Sequence, residues 1–156
     1  MSSLFLIVLT ILFLDSIVSA SEAAIFSISV NRVRQLAEKS STARVLLSLK
    51  EKMGRPIATL IALSNLITIL GSVVVGVVTT RALGEEWIGA VGAILTFLIM
   101  VFAEIIPKRL GERFAEPFSL FMARPIKAVA TVFNPIIWLI EKITGPLLPK
   151  GDVSIS

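Results

Sequence analysis

Apolar residues along the chain gather into runs long enough to cross a bilayer, and the polar residues interrupting them fall at only a few positions. A spanning helix needs about 20 predominantly apolar residues. Four runs qualify: residues 4–30, 56–80, 87–107 and 126–148. The first is clean from Leu4 to Leu14 and then becomes polar-spotted from Asp15 onward. The last is the weakest, because Pro135 interrupts it and Lys127, Glu141 and Lys142 lie near its ends. The pattern predicts an all-α membrane protein. Val18-Ser19-Ala20 also fits a small-residue cleavage signal after an apolar run. No Lys or Arg precedes that run, however, and Asp15 would sit beside the cut, so a membrane helix is the expected state.

Loop charges orient the spans. Lys and Arg concentrate on the cytoplasmic side of short loops. The 31–55 loop carries Arg32, Arg34, Lys39, Arg44, Lys50, Lys52 and Arg55, whereas the 81–86 loop carries only Arg81; after the third run come Lys108, Arg109, Arg113, Arg124 and Lys127. The 31–55 loop and everything after Pro107 are therefore expected in the cytosol, with the N-terminus outside. That makes three transmembrane helices. The fourth run then either crosses back or lies in the inner leaflet, and the favoured reading is a non-crossing pair of juxtamembrane helices. Pro125 is expected to start the second of them and Pro135 to kink it. The expected organisation is a three-span core over residues 1–108, a juxtamembrane belt over 109–148, and a linker over 149–156 leading to a further cytosolic module.

Composition changes the picture in one respect. Of 156 residues, 55% are hydrophobic, the net charge is +4, and there is neither His nor Cys. The basic charge is accounted for by topology, so no nucleic-acid partner is implied. Without His and Cys the commonest general base, thiol nucleophile and transition-metal ligands are gone. An enzyme is not expected, since a Ser–Lys pair would need Ser19 close to a lysine that topology places in the loops. Any metal must be held by oxygen, as hard cations are.

An ionisable residue inside a span is costly and is a functional candidate by default. Glu104 is the clearest, following the apolar stretch 94–103 and preceding Pro107 by three residues. Pro107 has no N–H to give the carbonyl of Ala103. A freed carbonyl beside a carboxylate at a helix break makes half of a cation site, as in transporters with broken helices. The competing structural reading has Glu104 reach the interface or pair with Lys108. In the first span Asp15, Ser19, Glu22 and Phe26 share one helical face. Ser21 lies about 160° from Ser19 on an ideal helix, so both reach one ion only if the helix is distorted, for example by a π-turn. In the second span stand Ser64, Asn65 and Thr68. Serines and an Asn can equally serve close packing and interhelical bonding, and Gly71 and Gly76 are read as packing contacts. With the spans antiparallel, Ser19, Asn65 and Glu104 fall at comparable depth in the cytoplasmic half. They form an oxygen-only cluster that spacing alone cannot assign to Mg²⁺, Ca²⁺ or Na⁺.

Three stretches carry a family resemblance. Ser19-Ala20-Ser21-Glu22-Ala23-Ala24-Ile25-Phe26-Ser27 resembles the S-G-S-E-T-A-x-F-S stretch of the cyclin M/CorC (DUF21) membrane domain, Ser64-Asn65 resembles its G-N, and Ala103-Glu104-Ile105-Ile106-Pro107-Lys108 resembles its G-E-I-x-P-K. They occur in the family's order over nearly the whole chain. Ala20, Ser64 and Ala103 stand where the family has Gly, and Leu66 where a second Asn often follows. The resemblance implies a homodimeric Mg²⁺ transporter with three spans and a juxtamembrane belt, followed by an ATP-binding CBS-pair module. It implies a Mg²⁺ site built from Ser19, Asn65 and Glu104, and less firmly from Ser21 and Ser64; with the Ala103 carbonyl added from the Pro107 argument, the expected site holds a largely dehydrated Mg²⁺ in an inward-facing cavity. An opposing Na⁺ gradient is the candidate driving force. The alternative is a non-transporting cation sensor or scaffold.

Overall fold

The structure is a computed structural model that describes residues 2–144. Among them every regular element is helical: α1 (Ser2–Ser27), α2 (Val30–Ala37), α3 (Ser41–Glu51), α4 (Gly54–Leu83), a 3₁₀ turn (Glu85–Trp87), α5 (Ile88–Leu98), a π-helical segment (Ile99–Ile105), α6 (Ile106–Arg113) and α7 (Ala115–Thr144). The linker expected over 149–156, and the end of the belt at 145–148, lie outside the described residues. Four helical stretches are long and apolar enough to cross a membrane: Ser2–Ser27, Gly54–Leu83, Glu85–Arg113 and Ala115–Leu139. Helices suit that medium because each N–H and C=O is satisfied within the segment. Their outer faces are apolar and exposed, as at Phe5, Phe13, Ile69, Leu70, Val73 and Phe97, which marks a multi-pass membrane protein.

Local chemistry sets the boundaries. Ser29 and Ser40 cap α2 and α3, accepting hydrogen bonds from the backbone N–H groups of Arg32 (3.3 Å) and Ala43 (3.4 Å). Gly84 ends α4 at φ 103°, a left-handed conformation that glycine adopts without strain, and its N–H returns to Thr80 O. Lys50 is buried and donates to the Phe26 carbonyl at the C-terminal end of α1 (3.4 Å), where a cation complements the helix dipole.

Helix α1 is the centre of the bundle, packed by α4, the π segment, α6 and α7. Two apolar clusters hold it. Val18, Ile25 and Ile28 pack with Val33, Leu46, Leu60 and Ile126, joining α1 to α2, α3, α4 and α7. Ile11 packs with Val75, Leu95, Ile99 and Ala103, joining it to α4 and the third stretch. Helix α7 is one helix running through both Pro125 and Pro135. The expected start at Pro125 is thus ten residues late, because the break falls at Phe114 instead, whose φ of −108° and ψ of 35° close α6. Correspondingly, 109–124 is not one helix: α6 continues the third stretch as far as Arg113. Along its first half α7 follows the basic loop helices, with Arg32 bonded bidentately to Glu116 (2.8 and 3.1 Å) and Arg124 donating to Ser41 (3.3 Å). The Glu116 carboxylate beside it raises the Arg32 guanidinium above its ordinary value.

The glycines differ sharply. A Cβ on Gly71 would lie 2.7 Å from Ile11, so this glycine is the packing contact the sequence suggests, but one on Gly76 meets nothing within 4 Å. Gly111 is tighter than either: a Cβ there would lie 2.2 Å from the backbone oxygen of Ala20. A backbone atom cannot rotate aside, so α6 and α1 depend on this glycine. Gly111→Ala is expected to destabilise the folded chain by at least the ~1–3 kcal/mol typical of overpacking. Gly76→Ala should leave the melting temperature of the detergent-solubilised protein unchanged, and equal melting of the two variants would refute the close approach.

Candidate cation site

Cross-helix contacts give the levels. Ile11 meets Gly71, Asp15 meets Ser64 and Thr68, and Val18 and Ser21 line a small cavity with Leu60 and Leu63. Helix α4 therefore runs antiparallel to α1, with Asn65 level with Ser16 and Ile17. The third stretch runs parallel to α1. Ser16, Ile17 and Ala20 share a groove of about 630 Å³ with Phe102, Ile106 and Pro107, and Ala20 touches Gly111. Glu104 accordingly lies level with about residues 13 to 17 of α1. The three helical stretches bring Ser19, Asn65 and Glu104 to neighbouring levels, within about two turns of helix.

Across these levels the polar side chains divide into two groups. Ser21, wholly buried, donates to the Ile17 carbonyl at 2.6 Å. Helix α1 is regular α throughout, so the distortion needed to bring Ser21 round to Ser19 is not there; the π-helical segment lies in the third stretch. Ser64 donates to Asp15 Oδ1, and Thr68 donates to Asp15 Oδ2 at 3.2 Å. Lys108 turns to Glu22 (3.7 Å) rather than to Glu104, its neighbour one helical turn back. By contrast Ser19, Asn65 and Glu104 make no side-chain hydrogen bond or ion pair among the described residues. Ser19 is 2% exposed, while Asn65 and Glu104 are exposed on the surface of the single chain. Ala103, the residue before Glu104, is buried.

The backbone around Glu104 is unusual. Residues Ile99–Ile105 form a π-helix, and the Ile106 N–H bonds to Val101 O, five residues back. Pro107 sits in the first turn of α6, where a missing N–H costs little. π-Segments inside α-helices are frequently found at functional sites. No group of three or more acidic side chains gathers among the described residues. The donor set is one carboxylate with neutral oxygens.

The profile of the family described as the cyclin M transmembrane N-terminal domain matches residues 5–153. The chain belongs to this family. It is 42% identical over 133 residues to a UPF0053 protein of Synechocystis, covering 85% of this chain and 38% of that protein. It is 29% identical over 147 residues to the UPF0053 inner membrane protein YfjD of Escherichia coli, covering 88% and 33%. It is 24% identical over 154 residues to the polyamine export protein of Haemophilus influenzae, covering 90% and 36%. The chain thus spans between a third and two-fifths of the length of these relatives. The match makes it a cyclin M-type membrane domain.

Sequence reasoning singled out the uncommitted residues but did not separate them from the committed ones. It placed Asp15 and Thr68 in the spans without pairing them, and passed over the Glu22–Lys108 contact. The signal was present: a carboxylate in an apolar run, and Ser64 and Thr68 one helical turn apart. Glu22 and Lys108 are partly exposed and their atoms are beyond hydrogen-bond length. A double-mutant cycle with Glu22→Gln and Lys108→Met should therefore give a coupling of about 1 kcal/mol or less. A coupling several times larger would make the pair a structural clamp.

Proposed function

We propose that this domain binds and transports Mg²⁺ across the membrane, taking the ion from the cytosol in largely dehydrated form. The observation that carries the reading is that Ser19, Asn65 and Glu104 stand at neighbouring levels with uncommitted oxygens, while the hydroxyls around them are already bonded. Oxygen-only ligands suit a hard divalent cation. The Ala103 carbonyl, deprived of a Pro107 N–H, supplies a further donor. In this reading Ser21 and Ser64 sit beside the ion and hold helices rather than ligands. Mg²⁺ sheds water reluctantly, so its site must be preorganised; the buried Ser19 provides a fixed point, and movement of the π segment would carry Glu104. Homodimerisation, a CBS-pair module in the longer protein and an opposing Na⁺ gradient belong to the same proposal.

The same reading has three spans crossing with the N-terminus outside, and α7 lying in the inner leaflet. Two features support it. α7 is the least apolar of the four stretches. From Glu116 to Asn134 it also stays beside the basic layer, first Arg32 and Ser41 and then Ser48, Lys52 and Pro56. The chain has no cysteine, so single cysteines report cleanly. Arg34→Cys and Trp138→Cys are expected to react with an impermeant maleimide from the same side of oriented vesicles. Labelling from opposite sides would make α7 a fourth span.

Glu104→Ala should abolish Mg²⁺-dependent thermal stabilisation, and Ser19→Ala should weaken it more than Ser21→Ala does. Proteoliposomes loaded with a Mg²⁺ dye should show flux that the Glu104 variant lacks. Undiminished stabilisation in Glu104→Ala sinks the site. Binding without flux would favour a sensor or scaffold. The relative named as a polyamine export protein gives a second reading, an organic polycation, and flux of spermidine in place of Mg²⁺ would select it.

A further inference from the structure

Asp15 is wholly buried in the middle of α1 and is not used by the proposed magnesium site. Each of its oxygens accepts a hydroxyl from α4, Oδ1 from Ser64 and Oδ2 from Thr68. An ionised carboxylate is acceptor-only, and two donated hydroxyls match it. Two neutral hydroxyls satisfy its lone pairs but do not cancel its charge, and a buried charge is strongly disfavoured unless paired. No basic side chain pairs with it among the described residues. On α4 the cations are Arg55 and Arg81, roughly 14 Å and 20 Å of helix from Ser64 and Thr68 respectively. On α6, Lys108 reaches Glu22. At the start of α7, Glu116 is held by Arg32. The π segment brings only another carboxylate, Glu104, whose side chain is exposed.

Helix α4 carries further hydroxyls on the face that meets Asp15. Ser64, Thr68, Ser72 and Thr79 fall within an arc of about 80° on one face of the helix. Beyond Thr68 this stripe opens into a cavity of about 160 Å³ between α4 and α5, lined by Ser72, Thr79 and Thr96 among apolar residues. Thr79 Oγ1 is buried there with no protein hydrogen-bond partner. A buried hydroxyl in that state takes its partner from water or an ion. The carboxylate, the hydroxyl stripe and the orphan hydroxyl lie in line along α4.

We infer that Asp15, Ser64 and Thr68 form a second cation site in the membrane, which takes one dehydrated monovalent metal ion of the sodium class. The donors are four side-chain oxygens from two helices, both of Asp15 and the hydroxyls of Ser64 and Thr68. Asp15 is fully buried, so its one carboxylate balances a single positive charge, whereas Glu104 is exposed on the single chain and a divalent ion beside it can keep some of its water. The site is separate from the Ser19, Asn65 and Glu104 oxygens, and the inference does not depend on Mg²⁺ being the transported ion.

The test uses the full chain in lipid nanodiscs, with chelator to remove divalent ions and ionic strength held with choline chloride. Replacing choline by Na⁺ should raise the melting temperature saturably, and should shift the carboxylate band in the infrared difference spectrum. Asp15→Asn should remove both responses. Thr68→Val, which keeps the carboxylate and the side-chain shape, should leave the band and weaken the apparent Na⁺ affinity on the order of tenfold. The proposal is overturned if the wild type melts identically in Na⁺ and choline, if the Na⁺ response survives in Asp15→Asn, or if the spectrum shows a protonated carboxylic acid at Asp15 that Na⁺ does not displace. Mg²⁺ stabilisation is measured on the same preparations. A wild type that responds to Na⁺ but not to Mg²⁺ keeps this site and sinks the magnesium reading, and the reverse result does the opposite.

Discussion

A polar side chain at hydrocarbon depth has no solvent to bond to, so it must find its partners inside the protein. That constraint decides which helix stands in the middle of this bundle. Helix α1 carries Asp15, Ser19 and Ser21 in an otherwise apolar run, and it is the helix on which α4, the π segment, α6 and α7 all pack. α4 has fewer buried positions and turns Ile69, Leu70 and Val73 outward. Besides Leu60 and Val75, which join the two apolar clusters, its inward contribution is small and hydroxylated residues. Gly71 accepts Ile11, and Ser64 and Thr68 donate to Asp15. The apolar clusters at either end of α1 then close around contacts that polar groups and glycines have already fixed in register.

Satisfaction of polar groups also explains why this layer can hold a site at all. Side chains that stabilise the bundle are those whose donors are spent: Ser21 on its own helix, Ser64 and Thr68 on Asp15, Thr59 on Arg55 O. Side chains that remain uncommitted gain nothing for folding and carry a standing cost in an apolar medium. Ser19, Asn65 and Glu104 are of the second kind. In the proposed site, a ligand with positive charge would convert that cost into binding energy.

Much of the architecture was legible because bilayer helices advertise themselves by length and hydropathy. Among the described residues all four apolar runs are helical, and the basic loop after the first run folds as α2 and α3. Three things were not legible, each for a physical reason. The continuity of α7 through Pro125 and Pro135 goes against the intrinsic preference of proline, and it is set by packing of Ala123 and Ile126 on α1, α3 and α4. The role of Gly111 depends on how close a distant carbonyl approaches, and a single glycine carries no sign of that. The pairing of Asp15 required the register between α1 and α4, which periodicity on either helix cannot supply. In the candidate site the residue types were readable from an oxygen-only inventory. Which oxygens were already spent was a property of the fold.

The position of the π segment is the clearest case of local chemistry placed by global need. In an unbroken α-helix Pro107 would leave the Ala103 carbonyl without its donor and press its ring against it. Widening the preceding turns to i→i−5 bonds, as Ile106 does to Val101, lets the chain enter α6 with proline in its first turn, where no N–H is needed. Each residue gained in a turn also rotates the downstream helix by about 100° relative to a regular one. That rotation sets where α6 faces, and α6 must present Gly111 to the Ala20 carbonyl, the tightest glycine contact among the described residues. Proline, π segment and glycine are therefore one device. They dock the third stretch against α1 beside Ser19, and they hold Glu104 in the one part of that stretch whose hydrogen bonding is irregular enough to rearrange without breaking the helices on either side.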